Sequence, residues 1–309
     1  MYPVLFTVGN FPVSSYGLFL VLGIFFGAFS VWRIARSFDF DAEKVLDLIF
    51  LTIGAGFLLS RAVFVLSHLD IFDSLTKIFF VNRYPGLSFW GGLFGGLFAL
   101  SWLAKRARIT FLQASDIAVI GFFIAAFFTE IGCLLGACGT GLPTTSVISI
   151  DQAGAIGKRI PVQLYEALVY LVIFIWLWKK ILRFHIQGSF LARGLVLLGL
   201  VKIIAGFYKE TGQILALGAV RLPLDLGLAV IAILVGGYFH YKIHKKTPLH
   251  DVATFFKFFV SRSMQRSLMT KMVRGWYNLR VNLTVGISKG IKNIFKSLRV
   301  RSNPDKFHK

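Results

Sequence analysis

The sequence predicts an all-α integral membrane protein of about seven transmembrane helices, with its N-terminus outside and its C-terminus inside. Three observations carry this. Of 309 residues, 56% are apolar and 16% are charged, whereas soluble chains average about 45–50% and about 25%; the mean hydropathy is +0.72. The apolar runs have the length that crosses a hydrocarbon core, roughly 20 residues for about 30 Å. Lysines and arginines alternate from loop to loop, as cytoplasmic loops collect basic residues.

Taken in order, the spans fall near 14–34, 45–67, 88–104, 116–136, 162–182, 190–209 and 215–240. The third is short, and the last carries Arg221 and Asp225 near its start. Arg33, Arg36 and Lys44 follow the first span, Lys105, Arg106 and Arg108 the third, Lys179, Lys180, Arg183 and Arg193 the fifth, and a dense run from Lys242 the seventh. The alternate loops are poor in basic residues: none in 1–13, Lys77 and Arg83 in 68–87, Lys158 and Arg159 in 137–161. Met1–Ser15 lacks the basic n-region of a cleavable signal. No internal repeat of the kind that marks many secondary transporters is visible.

The organisation is one membrane domain, 1–244, and an appended tail, 245–309. The tail holds 15 lysines and arginines against Asp251 and Asp305, so it supplies most of the net +20. Its Phe255, Phe256, Met269, Trp276, Ile291, Ile294, Phe295 and Leu298 interleave with the basic residues. That pattern fits a helix on an anionic inner leaflet; a disordered basic tail is the plainer alternative. Nucleic-acid binding is not expected. Cys133 and Cys138 are too few for a disulfide framework. They can pair or stay reduced, and buried thiols are the expectation.

Ionisable side chains inside a membrane mark functional sites. Here they are Arg61, Glu130, Glu166, Lys202, Arg221 and Asp225, with Tyr16, Gln163 and Tyr165 as polar neighbours. On the predicted topology all fall in the outer half, which predicts a shared polar chamber there. An Arg221–Asp225 pair one turn apart is the structural alternative for two of them. Glycines 86, 91, 92, 95 and 96, and then 132, 136, 139 and 141, flank this region. They permit close backbone approach or pack helices together.

These residues resemble the bacterial prolipoprotein diacylglyceryl transferases, through nearly all of 1–244. Ser15-Tyr16-Gly17-Leu18, Ser60-Arg61-Ala62 and Gly86-Leu87-Ser88-Phe89-Trp90-Gly91-Gly92-Leu93 match family stretches in order. So do Ile131-Gly132-Cys133 through Gly141-Leu142-Pro143-Thr144, Arg159-Ile160-Pro161-Val162-Gln163-Leu164-Tyr165-Glu166-Ala167, and Gly212-Gln213-Ile214-Leu215. The resemblance implies transfer of the diacylglyceryl group of phosphatidylglycerol to the lipobox cysteine thiol of a preprolipoprotein. It implies the bacterial cytoplasmic membrane as location, and no metal or organic cofactor. It makes Tyr16, Arg61, Glu166 and Lys202 the expected catalytic residues. Trp90, Gly91, Gly92, Glu130, Gly141, Arg159, Gln163 and Tyr165 are the expected substrate and lipid contacts.

The chain also departs from the family pattern. The signature arginine is Glu130, the histidine before the Gly-Gly pair is Trp90, and the histidine beside Arg159 is Ile160. The arginine and glutamate four residues apart in the sixth span are Lys202 and Gly206, and a further arginine is Lys209. An indole cannot accept a thiol proton, and lysine loses the bidentate fork of arginine. One acid is gained and one lost, which predicts that Glu130 pairs with Lys202 or Arg61. Three functions compete: a divergent transferase using Arg61, Arg159 and Lys202, a non-catalytic lipid-binding relative, and a transporter. Retention of Tyr16, Arg61, Gln163, Tyr165 and Glu166 favours the transferase.

Overall fold

A computed structural model describes residues 4–244 except 10, 70–71, 73, 80–83, 85, 137, 147–148, 153–154, 184, 211–213 and 218–219. The tail lies outside the described residues. The chain opens with a hairpin, β1 (Val4–Val8) paired antiparallel with β2 (Phe11–Ser14). The long helices α1 (Ser15–Arg36) and α2 (Ala42–Leu66) follow, then the short α3 (Leu75–Phe79). Next come α4 (Phe89–Arg106) and α5 (Phe111–Gly136). A loop with the two-residue pair β3 (Ile150–Asp151) and β4 (Lys158–Arg159) leads to α6 (Val162–Ile181) and α7 (Ser189–Gly206). The hairpin β5 (Ile214–Leu217) and β6 (Val220–Pro223) precedes α8 (Leu224–His244).

Local chemistry sets these boundaries. Ser14 Oγ accepts from Gly17 N, Asp41 from Glu43 N and Ser88 Oγ from Gly91 N, capping α1, α2 and α4. Basic residues close α1, α4, α6 and α8, where they complement the helix dipole. Gly188, at φ 86°, turns the chain into α7. Among the described residues, six helices are long and apolar enough to cross a membrane: α1, α2, α5, α6, α7 and α8. The predicted third span is α4, 18 residues ending in Lys105 and Arg106, and it does not reach that standard. The predicted seventh span shortens as well. Residues 215–223 belong largely to the β5–β6 hairpin, so Arg221 stands on a strand opposite Ala216 and not in a spanning helix. Pro223 explains the boundary, because it disfavours helical backbone at Leu222.

Helix α5 is the centre, packed by α1, α6 and α7, while α2 pairs with α4 and α7 with α8. Ile120 and Phe123 of α5, Tyr170 and Leu177 of α6 and Phe190 and Leu198 of α7 fill the core. Close approach at the α2–α4 contact requires small residues. A Cβ at Gly91 would lie 2.8 Å from Val63 Cβ, and one at Gly95 would lie 2.6 Å from Leu59 Cβ. Phe25, Phe50, Leu58, Phe98, Val172 and Leu234 instead point outward, an apolar girdle that only lipid tails solvate well. The protein is an all-α integral membrane protein.

Candidate functional site

The site assembles where the starts of α1 and α6 meet the ends of α5 and α7. Glu166 is one turn into α6 and is 2% exposed. Lys202 reaches it from α7, with Nζ 2.8 Å from Oε1. Lys209, just past the end of α7, holds the other oxygen, Oε2. Lys202 also bridges to Glu130 of α5, with Nζ 3.1 Å from Oε1. Two carboxylates and two ammonium groups thus form one alternating chain of zero net charge. Buried charges persist only when paired in this manner. The expected Glu130–Lys202 pair is present. Arg61 is not the partner.

Aromatic groups surround the lysine. Nζ of Lys202 stands 4.6 Å from the centre of the Phe89 ring and 5.7 Å from that of the fully buried Tyr170, within cation–π range. Tyr16 packs over Gly132 and Gly136 at the end of α5, within electrostatic reach of Glu130.

A three-stranded lattice of single bridges closes this end. Gly141 pairs with Lys209, and Pro143 with Arg159. Leu142 N donates to Tyr208 O at 2.9 Å, and Glu210 N to Thr140 O at 2.9 Å. Residues 140–144 therefore lie between the end of α7 and the approach to α6, which ties Lys209 to the loop after α5. Gly141 is required here: a Cβ would fall on the carbonyl oxygen of Ile160. Its N–H donates to Gln152 Oε1 at 3.1 Å, and its oxygen accepts from Arg159 Nη1 at 3.1 Å. Gln163 donates to the carbonyls of Cys138 and Gly139, so it braces the same loop.

Arg159 Nη1 also lies 2.7 Å from Glu210 Oε1, and Thr140 Oγ1 donates to Glu210 Oε2 at 2.5 Å. The Thr140 hydroxyl first, then Arg159, hold the Glu210 carboxyl below the usual carboxylate range. A depressed value means that the clasp is complete above the ordinary glutamate pKa and is lost as pH falls through the depressed one. Protection of the Gly141, Leu142 and Thr144 amides, measured against the unstructured chain at the same pH, is expected to hold from neutral pH down through that ordinary range and to fall below it. In Glu210→Ala protection should be low throughout; wild-type protection that does not vary with pH would refute the clasp.

Several expected site residues lie elsewhere. Arg61 is 6% exposed and donates to Ile78 O at 3.0 Å, Gly86 O at 2.9 Å and Lys77 O at 3.1 Å. Its donors hold the loop around α3, with the rings of Phe64 and Phe72 beside it. Trp90 Nε1 donates to Asp225 Oδ1 at 3.0 Å, cross-linking α4 to α8. Asp225 therefore has a partner other than the Arg221 anticipated for it. Gly91 and Gly92 sit in the α2–α4 packing contact. Tyr165 is 41% exposed, turned away from the buried face of α6 that carries Glu166.

The cysteines correct the sequence expectation: Cys133 and Cys138 are joined by a disulfide. Helix α5 ends at Gly136, and Cys138 N donates back to Cys133 O at 3.1 Å, which brings the two Cα atoms to 4.7 Å. The spacing did not reveal that turn.

Four participants escaped the sequence reading. Tyr170 lies four residues after Glu166 on one helix face, a signal that was available. Gln152, Thr140 and Glu210 have none, since their roles depend on loop contacts. Asp116 was also missed. It is 1% exposed near the opposite end of α5, and it accepts from Gly188 N, Phe190 N and Leu191 N at 2.7–2.9 Å. It caps α7, so the buried acids are not all at one end.

Comparison with known proteins agrees with this architecture. A profile of the prolipoprotein diacylglyceryl transferase family matches residues 3–270, running past 244 into the tail. The phosphatidylglycerol–prolipoprotein diacylglyceryl transferase of Deinococcus radiodurans is 34% identical over 154 residues, 48% of this chain and 44% of that protein. The protein of that name from Pseudoalteromonas atlantica is 31% identical over 255 residues, 76% of this chain and 86% of its own length. Clostridium perfringens has a phosphatidylglycerol–prolipoprotein diacylglyceryl transferase 2 that is 22% identical over 247 residues, 78% of this chain and 95% of its own. The chain belongs to the prolipoprotein diacylglyceryl transferase family.

Proposed function

We propose that the Lys202 cluster is where this chain, a multi-pass transferase of the bacterial cytoplasmic membrane, moves the diacylglyceryl group of phosphatidylglycerol onto the lipobox cysteine thiol of a prolipoprotein. The observation that carries the assignment is Lys202 bridging Glu130 and Glu166, with Lys209 on the second Glu166 oxygen. The thiolate is the attacking species. Trp90 has no lone pair to offer and is already bonded to Asp225. Glu130 engages Lys202 through Oε1 and is the carboxylate placed to accept the thiol proton. Sulfur then bonds to the glyceryl carbon as the carbon–oxygen bond to phosphate breaks, and the electron pair leaves with glycerol phosphate. The growing charge falls to Lys209, with 27% of its side chain exposed, to Arg159 at the rim and to Lys202. Such cations act where charge develops.

In this reading Arg61 positions the α3 loop and the Cys133–Cys138 disulfide the 138–141 loop. The reaction end faces outside and the C-terminus inside, following the alternation of basic residues. Expression of the chain in a bacterium depleted of its own transferase is expected to restore lipidation of a lipobox reporter. Absence of lipidation, with the protein verified in the membrane, would sink the assignment.

The domain division is 1–244 for transfer and 245–309 for attachment of the tail to anionic inner-leaflet lipid, as its basic and apolar residues interleave. A 245–309 peptide is expected to gain helical circular dichroism on phosphatidylglycerol vesicles and none on phosphatidylcholine. Equal spectra on both would remove that role.

A further inference from the structure

A second polar feature lies at the other ends of α1 and α6. From Tyr16 to Arg33 is 17 residues of helix, about 25 Å at ~1.5 Å each, so it is separate from the transfer site. A cavity of about 480 Å³ opens there, lined by Trp32, Arg33, Arg36, Ser37, Trp178 and Leu182 over a floor that includes Ile34 and Ile181. The packing explains it: α1 and α6 both rest on α5 and hardly touch each other.

The cavity is charged in one sense only. Two guanidinium groups line it and no carboxylate does. Among the described residues neither arginine is ion-paired; the nearby Asp41 is engaged by Lys44 at 3.4 Å. The Arg36 guanidinium lies 5.1 Å from the centre of the Trp32 ring, which steadies it along one wall. Trp178 and Leu182 supply an apolar opposite side.

An occupant must therefore be anionic at one end and apolar at the other. Arginine forks match phosphate oxygens, and paired tryptophans suit the headgroup level of a bilayer. The volume lies within the ~300–1,000 Å³ of ordinary ligand sites, well beyond a bare phosphate. The basic tail of this chain has the wrong charge.

We propose that the cleft between the basic ends of α1 and α6 binds the headgroup of one anionic phospholipid, its phosphate on Arg33 and Arg36 and its first methylenes between Trp32 and Trp178. Bound there, the lipid bridges two helices whose far ends carry Tyr16 and Glu166.

The test is native mass spectrometry of the full chain equilibrated with phosphatidylglycerol or phosphatidylcholine vesicles. The Arg33→Gln/Arg36→Gln variant is expected to retain one phosphatidylglycerol fewer than wild type, while Lys105→Gln/Arg106→Gln retains the full number. Lipid on the tail and in the transfer site is common to all and cancels. Leu182→Trp, which fills the cavity and keeps both arginines, is expected to lose the same lipid, and covers the case of an arginine variant that fails to fold. Equal phosphatidylglycerol retention in wild type and Leu182→Trp would overturn the proposal. So would an equally retained phosphatidylcholine, or inorganic phosphate that raises the melting temperature of wild type but not of the arginine variant.

Discussion

Replacing Lys202 by methionine is expected to slow transfer severely and to cost the protein more stability than any other single change in the site. Lys202 is the hub: its Nζ is the common partner of Glu130 and Glu166. Methionine preserves much of the volume and removes the charge, leaving Glu130 without a counter-ion and Glu166 with Lys209 alone. Breaking a buried pair from one side costs about 3–5 kcal/mol. The transfer rate should fall by roughly 10²–10³-fold, the usual effect of deleting a group that stabilises developing charge. Stability and chemistry separate in one experiment: thermal unfolding in detergent beside lipidation of a reporter thiol. Lys202→Arg keeps the charge and adds a donor fork, so it should recover most of the stability. A methionine variant that transfers at the wild-type rate would show that the cluster only holds helices together.

The second large effect concerns Glu130, where the family pattern carries arginine. Glu130→Arg makes the chain more like its relatives, yet it should inactivate this one. It removes a counter-ion and sets two cations against each other in a buried site, again a matter of about 3–5 kcal/mol. The lost acid of the family pattern maps to Gly206, one turn after Lys202 on α7. A side chain there has room, because a Cβ at Gly206 meets nothing within 4 Å. Glu130→Arg/Gly206→Glu is therefore expected to regain stability, while transfer stays low because the carboxylate that accepts the thiol proton is gone. Neighbouring charges couple, so the double variant should be far from the sum of the singles. Additive losses of stability would mean that the two substitutions are unrelated, and recovered transfer would mean that Glu130 is not the proton acceptor.

The disulfide and the loop lattice bear on the same site. Residues 138–144 are held by Gln163, Gln152, Arg159 and the backbone of 208–210, so the position of Lys209 depends on a loop with little regular structure.

The membrane class, the order of the long helices, the clustering of glycines and the need of Glu130 for a base, Lys202 or Arg61, were legible in the amino-acid sequence. These follow from local rules. Hydrophobic run length sets helices, and a buried acid must find a base. It also carried the motifs of the family.

Which polar residues meet depends on how distant helices pack. Arg61 and Lys202 looked equivalent in the sequence, yet one turns to the carbonyls around α3 and the other to two carboxylates. The family resemblance makes Trp90 and Gln163 substrate contacts, whereas in the fold they are engaged with Asp225 and the 138–139 carbonyls. Tyr165 and Glu166 are adjacent in sequence, yet one is exposed and the other buried, because successive helical residues turn by roughly 100°. Asp116 became a helix cap, and Cys133 and Cys138 a disulfide, through chain reversals that no local pattern announces. Charge and hydropathy say what must be buried or paired; packing of distant helices chooses the partner.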